Sequence, residues 1–274
     1  MDYVNAALAP QRNIGKIKLH EEEAFKHMRL AGTIAAKTLD MITEFVKPGT
    51  TTNKLDKKCF DFIISHNATP APLNYKGFPK SICTSVNHVI CHGIPNDKPL
   101  EEGDILNIDV TVLKNGWHGD TSRMYYVGKI SDKARRLIDT AYISMMESIK
   151  EIKPNIKTGK IGSVIQKIAE KENYSVVTEF CGHGLGQVFH DEPNILHFGT
   201  PEHGYIIKKG MFFTVEPMIN EGEKNMRILA DGWTAVTKDK SLSAQFEHTI
   251  GVTKDGFEIF TISDKNFIQP PYSI

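Results

Sequence analysis

Apolar residues recur at three- and four-residue steps between positions 21 and 47: Phe25, Met28, Ala31, Ile34, Ala35, Leu39, Ile42 and Val46. That period predicts an amphipathic helix, stopped by Pro48-Gly49. A second helix is predicted from about Thr52, with Leu55, Cys59 and Phe62 on one face. Ser131 is a suitable cap for a third, carrying Leu137, Ile138, Ala141, Met145, Ile149 and Ile152 and ending at Pro154-Asn155. A fourth follows, with Ile161, Val164, Ile165 and Ile168 as its apolar face. Between the helical pairs, strands are predicted from Ile105 to Leu113, Met124 to Val127, Phe212 to Val215, Trp233 to Val236 and Phe246 to Val252. Residues 261 to 274 carry little pattern and are expected to wrap or fray.

The two helical pairs read as copies. Val46-Lys47-Pro48-Gly49 and Ile152-Lys153-Pro154-Asn155 lie 106 positions apart, each between two apolar helices. A second segment repeats at nearly the same offset, 107: Gly103 to Asp109 and Gly210 to Glu216 both run from glycine through an apolar strand to a carboxylate. A period this long indicates duplicated halves and not a solenoid. The expected architecture is therefore α+β, one catalytic domain over 1–274 with halves at about 20–130 and 131–260.

Composition narrows the function. Lys plus Arg and Asp plus Glu both number 33, so the net charge is zero, and the basic excess of a DNA-binding protein is missing. No apolar run approaches the length of a membrane span, and the first residues lack the pattern of a secretory signal. Cys59, Cys83, Cys91 and Cys181 form no CxxC pair, which speaks for reduced thiols and a cytoplasmic protein.

The acids carry the chemistry. Asn115-Gly116 predicts a tight hairpin turn that sets Asp120 diagonally across from Asp109 on one face of the ribbon, or directly opposite if a bulge intervenes. Two like charges about 4 Å apart cost on the order of 4 kcal/mol at an effective dielectric near 20. Asp109 sits among Ile108, Val110 and Val112, so a cation or a shared proton offsets that cost better than solvent. Glu216 ends another apolar run and precedes Pro217, and Glu247 lies in Ala-Gln-Phe-Glu-His-Thr-Ile. Unpaired buried acids are costly. His183 lies in a glycine-rich stretch from Cys181 to Gly186 that lets a ligand approach the backbone. If the halves pack strand to strand, Asp109 and Glu216 meet near the pseudo-twofold axis. Four carboxylates and one imidazole then balance two divalent ions about 3.5 to 4 Å apart, an oxygen-rich set suited to Mn²⁺, Fe²⁺ or Co²⁺, with Zn²⁺ or Ni²⁺ as further candidates.

These residues and their flanks resemble the pita-bread metallopeptidases, most closely the bacterial type I methionine aminopeptidases. The stretches Gly77–Cys83, Cys91–Pro95, Asn107–Val110, Gly119–Arg123, Cys181–Gly186, Thr214–Met218 and Gln245–Thr249 carry the resemblance. It implies helices outside a curved antiparallel sheet, and removal of the initiator methionine from nascent proteins whose second residue is small. It implies that Asp120 and Glu247 bridge two metal ions, that Asp109 binds one, and that His183 and Glu216 bind the other. Glu216 is then the proton carrier, His190 steadies the tetrahedral intermediate, and His92 hydrogen-bonds the substrate amide. Tyr75, Phe78, Cys83, Phe189 and Trp233 resemble the walls of the methionine pocket. Two positions depart from the pattern: Pro72 stands where some members carry cysteine, and Phe78 where tyrosine is common.

An X-Pro dipeptidase shares the five ligands, but such relatives usually carry a further N-terminal domain. A non-catalytic binding protein on the same fold typically loses ligands. The resemblance also implies a monomer working beside the ribosomal exit tunnel. There, Lys224, Arg227, Lys238 and Lys240 would face RNA phosphates, although Glu221, Glu223, Asp231 and Asp239 cancel their charge.

Overall fold

The computed structural model describes residues 2–272. Four helices form where the period predicts them: α1 Glu22–Ile42, α2 Thr52–Ser65, α3 Asp132–Lys150 and α4 Gly159–Lys171. Thr51 caps α2 by accepting from Lys54 N at 3.3 Å, and Ser131 caps α3 by accepting from Ala134 N at 3.1 Å. The predicted stripe of α1 is buried from Phe25 to Ile42; Val46, beyond a short 3-10 turn, is only half-buried. On α2 Ile63 takes the core position, leaving Phe62 half-buried.

The duplication is visible in the backbone. Gly49 and Asn155 both have positive φ, 84° and 74°. Gly49 N donates to Leu100 O at 2.8 Å and Asn155 N to Ile207 O at 2.9 Å. Gly103 and Gly210 likewise have φ of 94° and 86°, and donate to Val127 O and Val252 O. Each half has its own core, with Leu39, Leu55 and Ile108 in the first and Leu137, Ile161 and Phe213 in the second.

The first half presents a hairpin of two ten-residue strands, Ile105–Lys114 and Trp117–Tyr126. Met124 onward, expected as a separate strand, is the end of this second one. Asn115 and Gly116 both have positive φ, as a two-residue type I′ turn requires. The register runs without a bulge, pairing Asp109 with Ser122 and Thr111 with Asp120. In the second half, Phe212–Val215 pairs with His248–Val252, and Met218–Asn220 with Ser243–Gln245, in one continuous register. The ladder breaks where Glu216-Pro217 faces Phe246-Glu247. Pro217 has no N–H to donate, so the strand expected from Phe246 to Val252 is interrupted at Phe246, opposite it, and resumes at His248. The strand expected from Trp233 starts instead at Ala235, because Trp233 and Thr234 donate to Asp231 Oδ1 in a turn.

The halves meet at a seam between Ser122 and Glu247, which exchange backbone bonds at 3.4 and 3.1 Å. Thr249 Oγ1 donates to Asp120 O at 2.6 Å and accepts from Asp120 N at 3.1 Å. Helix α1 lies directly on the hairpin. A Cβ on Gly119 would strike Gly32 N and the Ala31 carbonyl, all backbone atoms. Gly119→Ala is therefore expected to destabilise the fold by about 3 kcal/mol, at the upper end for overpacking. A lower denaturant midpoint at constant slope would report it. Residues 261–272 wrap, with Tyr272 OH donating to Met124 O at 2.9 Å, and the last two residues of the expected segment lie outside the described residues.

Candidate metal centre

The seam orders the four acids. Asp120 and Glu247 lie on the two strands that touch, while Asp109 and Glu216 lie on the strands outside them. The expectation that Asp109 and Glu216 meet at the axis is corrected: the inner pair holds that position. Within the hairpin, Asp120 stands diagonally across from Asp109 on the same face, as the unbulged turn dictates. Across the second ladder, Glu216 and Glu247 face each other at the break. Asp109–Ser122 and Glu216–Glu247 are thus equivalent pairs in the two halves, but the inner acid occupies different places, Asp120 in one and Glu247 in the other.

His183 closes the group from the strand Gly182–Gly184, which pairs with Phe213. Its Nε2 lies 3.6 Å from Asp120 Oδ2 and 3.7 Å from Glu216 Oε1. Its Nδ1 lies 3.1 Å from Gly184 O; donation there leaves the Nε2 lone pair aimed at the acids, the orientation a metal-binding histidine needs. Asp120, His183 and Glu247 each offer an atom within 4.8 Å of the others. Hydroxyls fix the carboxylates. Thr111 Oγ1 donates to Asp120 at 2.7 Å, and Thr214 Oγ1 donates to Glu216 at 2.7 Å while accepting from His183 N at 3.0 Å. Gln245 Nε2 donates to Glu216 Oε2 at 3.3 Å. Glu216 N–H donates to His197 Nε2 at 3.2 Å.

Burial raises the carboxyl pKa values. It pushes Asp120 up to about 7 despite the Thr111 hydrogen bond. It raises Asp109, Glu216 and Glu247 well above the usual carboxylate range, with repulsion from neighbouring acids added. Burial lowers His183 to about 4. Four carboxylates and a neutral imidazole in one buried cluster fit divalent cations, which supply the missing positive charge without a proton.

The cluster lies in a cavity of about 410 Å³, within the usual range for a small-ligand site. His92, His190, Tyr75, Phe78, Cys83, Phe189 and Trp233 line the same cavity, so it brings all the candidate residues together. His190 Nδ1 lies 2.9 Å from Tyr75 OH, and its ring lies 4.3 Å from that of His183. His92 has a φ of 55°, a costly conformation for a non-glycine residue, and packs edge-on to Phe180 and Trp233. Phe78 meets Trp233 edge-on at 5.2 Å, and Phe189 stacks on His118, whose Nδ1 lies 2.8 Å from Gly186 O. Thr111, Thr214, Gln245, His197 and His118 were not singled out from the sequence. Strand alternation offered a signal for Thr111, which shares a face with Asp109; the others are ordinary polar residues until the fold brings them together.

The pattern of metallopeptidase family M24 matches residues 26–254. The methionine aminopeptidase of Rickettsia prowazekii (strain Madrid E) is 63% identical over 257 residues, 93% of this chain and 99% of its own length. The crystal structure of methionine aminopeptidase from Rickettsia prowazekii superposes with a TM-score of 0.89 at 64% identity, covering 89% of this chain and 99% of that one. A prolidase from Pyrococcus furiosus superposes with a TM-score of 0.71 at 21% identity, over 90% of this chain and 66% of the prolidase. That likeness is one of fold alone, the pita-bread arrangement that all of them share.

Proposed function

From the premise that this chain belongs to metallopeptidase family M24, we propose that Asp109, Asp120, His183, Glu216 and Glu247 hold two divalent metal ions. Its reaction is that of an aminopeptidase releasing methionine. The observation that carries the proposal is the convergence of five metal-type donors with an aromatic pocket in one cavity. Asp120 and Glu247 would serve both ions, Asp109 would hold one of them, and His183 with Glu216 would hold the other.

Divalent ions bound there would supply Lewis acidity and would lower the pKa of a water near the scissile carbonyl. The chain's own residues do the rest. Glu216, held in place by the Thr214 hydroxyl, takes the proton from the attacking water and returns it to the leaving amine. His190, beside His183 and hydrogen-bonded to Tyr75, faces the oxygen that gains charge. His92 hydrogen-bonds the substrate amide. Tyr75, Phe78, Cys83, Phe189 and Trp233 enclose the first side chain, and a thioether against aromatic edges is a favourable contact. Phe78 and Pro72 change the fine shape of the pocket and leave its methionine preference in place. The metals that suit this oxygen-rich set are Mn²⁺, Fe²⁺ and Co²⁺.

The same reading takes nascent polypeptides with a small second residue as the substrate. It places the protein in the cytoplasm as a single catalytic domain over 1–274 and a monomer, in reach of the ribosomal exit tunnel. Among the described residues no helix is long and apolar enough to cross a membrane. The metal-free protein, loaded in turn with Mn²⁺, Fe²⁺ and Co²⁺, is expected to release methionine from Met-Ala-Ser and to leave Ala-Pro peptides intact. Proline-site cleavage without methionine release overturns the reading.

A further inference from the structure

Residues 2–19, before the family match, form an arm that reaches the metal cavity at Asn13. Tyr3–Asn5 pairs in parallel with Ile17–Leu19, and Tyr3 OH donates to Ile206 O at 2.6 Å. Between these strands the chain returns along the glycine-rich segment, where Pro10 and Gln11 border a small recess with Leu185 and Gly186. Lys18 locks the arm. Its ammonium lies 2.7 Å from Asp191, both side chains buried, and donates to Arg12 O at 3.0 Å. Asp191 directly follows His190, so the lock joins the arm to the loop that carries a candidate catalytic histidine.

The next residue, Asn13, lines the metal cavity itself. Its Oδ1 accepts from Gly15 N at 2.8 Å, which leaves the carboxamide NH₂ free to donate. An aminopeptidase buries the amino terminus and first side chain of its substrate, so the rim is crossed by the backbone that follows. A donor fixed at that rim meets a peptide carbonyl.

We infer that this arm is part of the substrate-binding surface, with Asn13 donating from the cavity rim to the substrate backbone beyond the first residue. The inference rests on the aminopeptidase reading above and adds to it one residue, Asn13, that contacts the substrate beyond its first residue. Loss of one such hydrogen bond corresponds to about a five- to tenfold change.

The test compares kcat/KM for Met-Ala and for Met-Ala-Ser-Ala-Gly on the Mn²⁺-loaded wild type, Asn13→Ala and Asn13→Asp. The ratio of long to short substrate is expected to fall about five- to tenfold in both variants, through KM. Asn13→Asp separates contact from scaffolding. Its carboxylate still caps Gly15 N–H, so a merely structural Asn13 predicts a wild-type ratio, whereas a contact role predicts a loss at least as large as in Asn13→Ala. An unchanged ratio in Asn13→Asp overturns the inference alone. Failure of the wild type to release methionine from either peptide overturns the catalytic reading and this inference with it.

Discussion

Glu216→Gln is expected to lower kcat/KM for methionine release by about three orders of magnitude or more. The substitution keeps the size of the side chain and an oxygen for the Thr214 hydroxyl, 2.7 Å away in the wild type. It removes a charge from the ligand set and the carrier of the proton, and the two losses fall on the same step. His183→Ala is expected to lose as much by another route. Without Nε2, which stands 3.6 Å from Asp120 and 3.7 Å from Glu216, one ion loses its single nitrogen donor. Metal content checks the ligand role, since both variants are expected to retain less metal after dialysis than the wild type, and kcat at saturating Mn²⁺ then reports the further loss of the proton carrier in Glu216→Gln. Thr111→Val, which removes only the hydroxyl that orients Asp120, is expected to cost about 10- to 100-fold, as supporting partners of metal ligands do. Full activity in both His183→Ala and Glu216→Gln would sink the site assignment.

The frame of this site was legible in the sequence because it depends on local signals. Asn115-Gly116 dictates a two-residue turn, and that turn alone puts Asp109 and Asp120 on one face in a diagonal relation. The helix stripes and the 106–107 offset were equally local, and the paired bonds of Gly49 with Leu100 and Asn155 with Ile207 are their structural counterpart. The order of the acids across the seam was not legible. It follows from Ser122 pairing with Glu247, a contact between halves that no periodicity encodes. Glu247 illustrates the same limit. Its surroundings read as an unbroken strand, but the break comes from Pro217 on the opposite strand. A proline's missing donor is recorded in its own sequence position and felt in its partner's. The N-terminal arm is illegible in the sequence for a similar reason, since Tyr3–Asn5 becomes a strand only through Ile17–Leu19.

Metal removal should expose the cost of gathering these acids, and pH should set its size. In the metal-free fold, burial and mutual repulsion raise the four carboxyl pKa values above those of the unfolded chain. Stability tied to such groups is complete below the unfolded values and is lost as pH rises through the folded ones. For Asp120 alone, a rise from 3.8 to about 7 corresponds to about 4 kcal/mol, against total stabilities of about 5–15 kcal/mol. Buried neutral histidines act in the opposite sense. His183 at about 4, and His197 and His248 at about 3, remove stability as pH falls below the unfolded value of 6.5. Between pH 4 and 6.5 the two effects oppose each other. Above about 6.5 only the acids still titrate, so the chelated protein is expected to lose thermal stability from pH 6.5 to 8. Divalent ions bind the acids in their ionised form and only in the folded state, which stabilises that state by mass action. The difference in Tm between Mn²⁺-loaded and chelated protein should therefore widen as pH rises, and the histidines outside the ligand set cancel from that difference. Asp120→Asn is expected to flatten the pH dependence of the chelated form while abolishing activity. Parallel Tm curves for the loaded and chelated protein across pH 6.5 to 8, measured by scanning calorimetry, would show that these carboxylates are not the groups the metal neutralises.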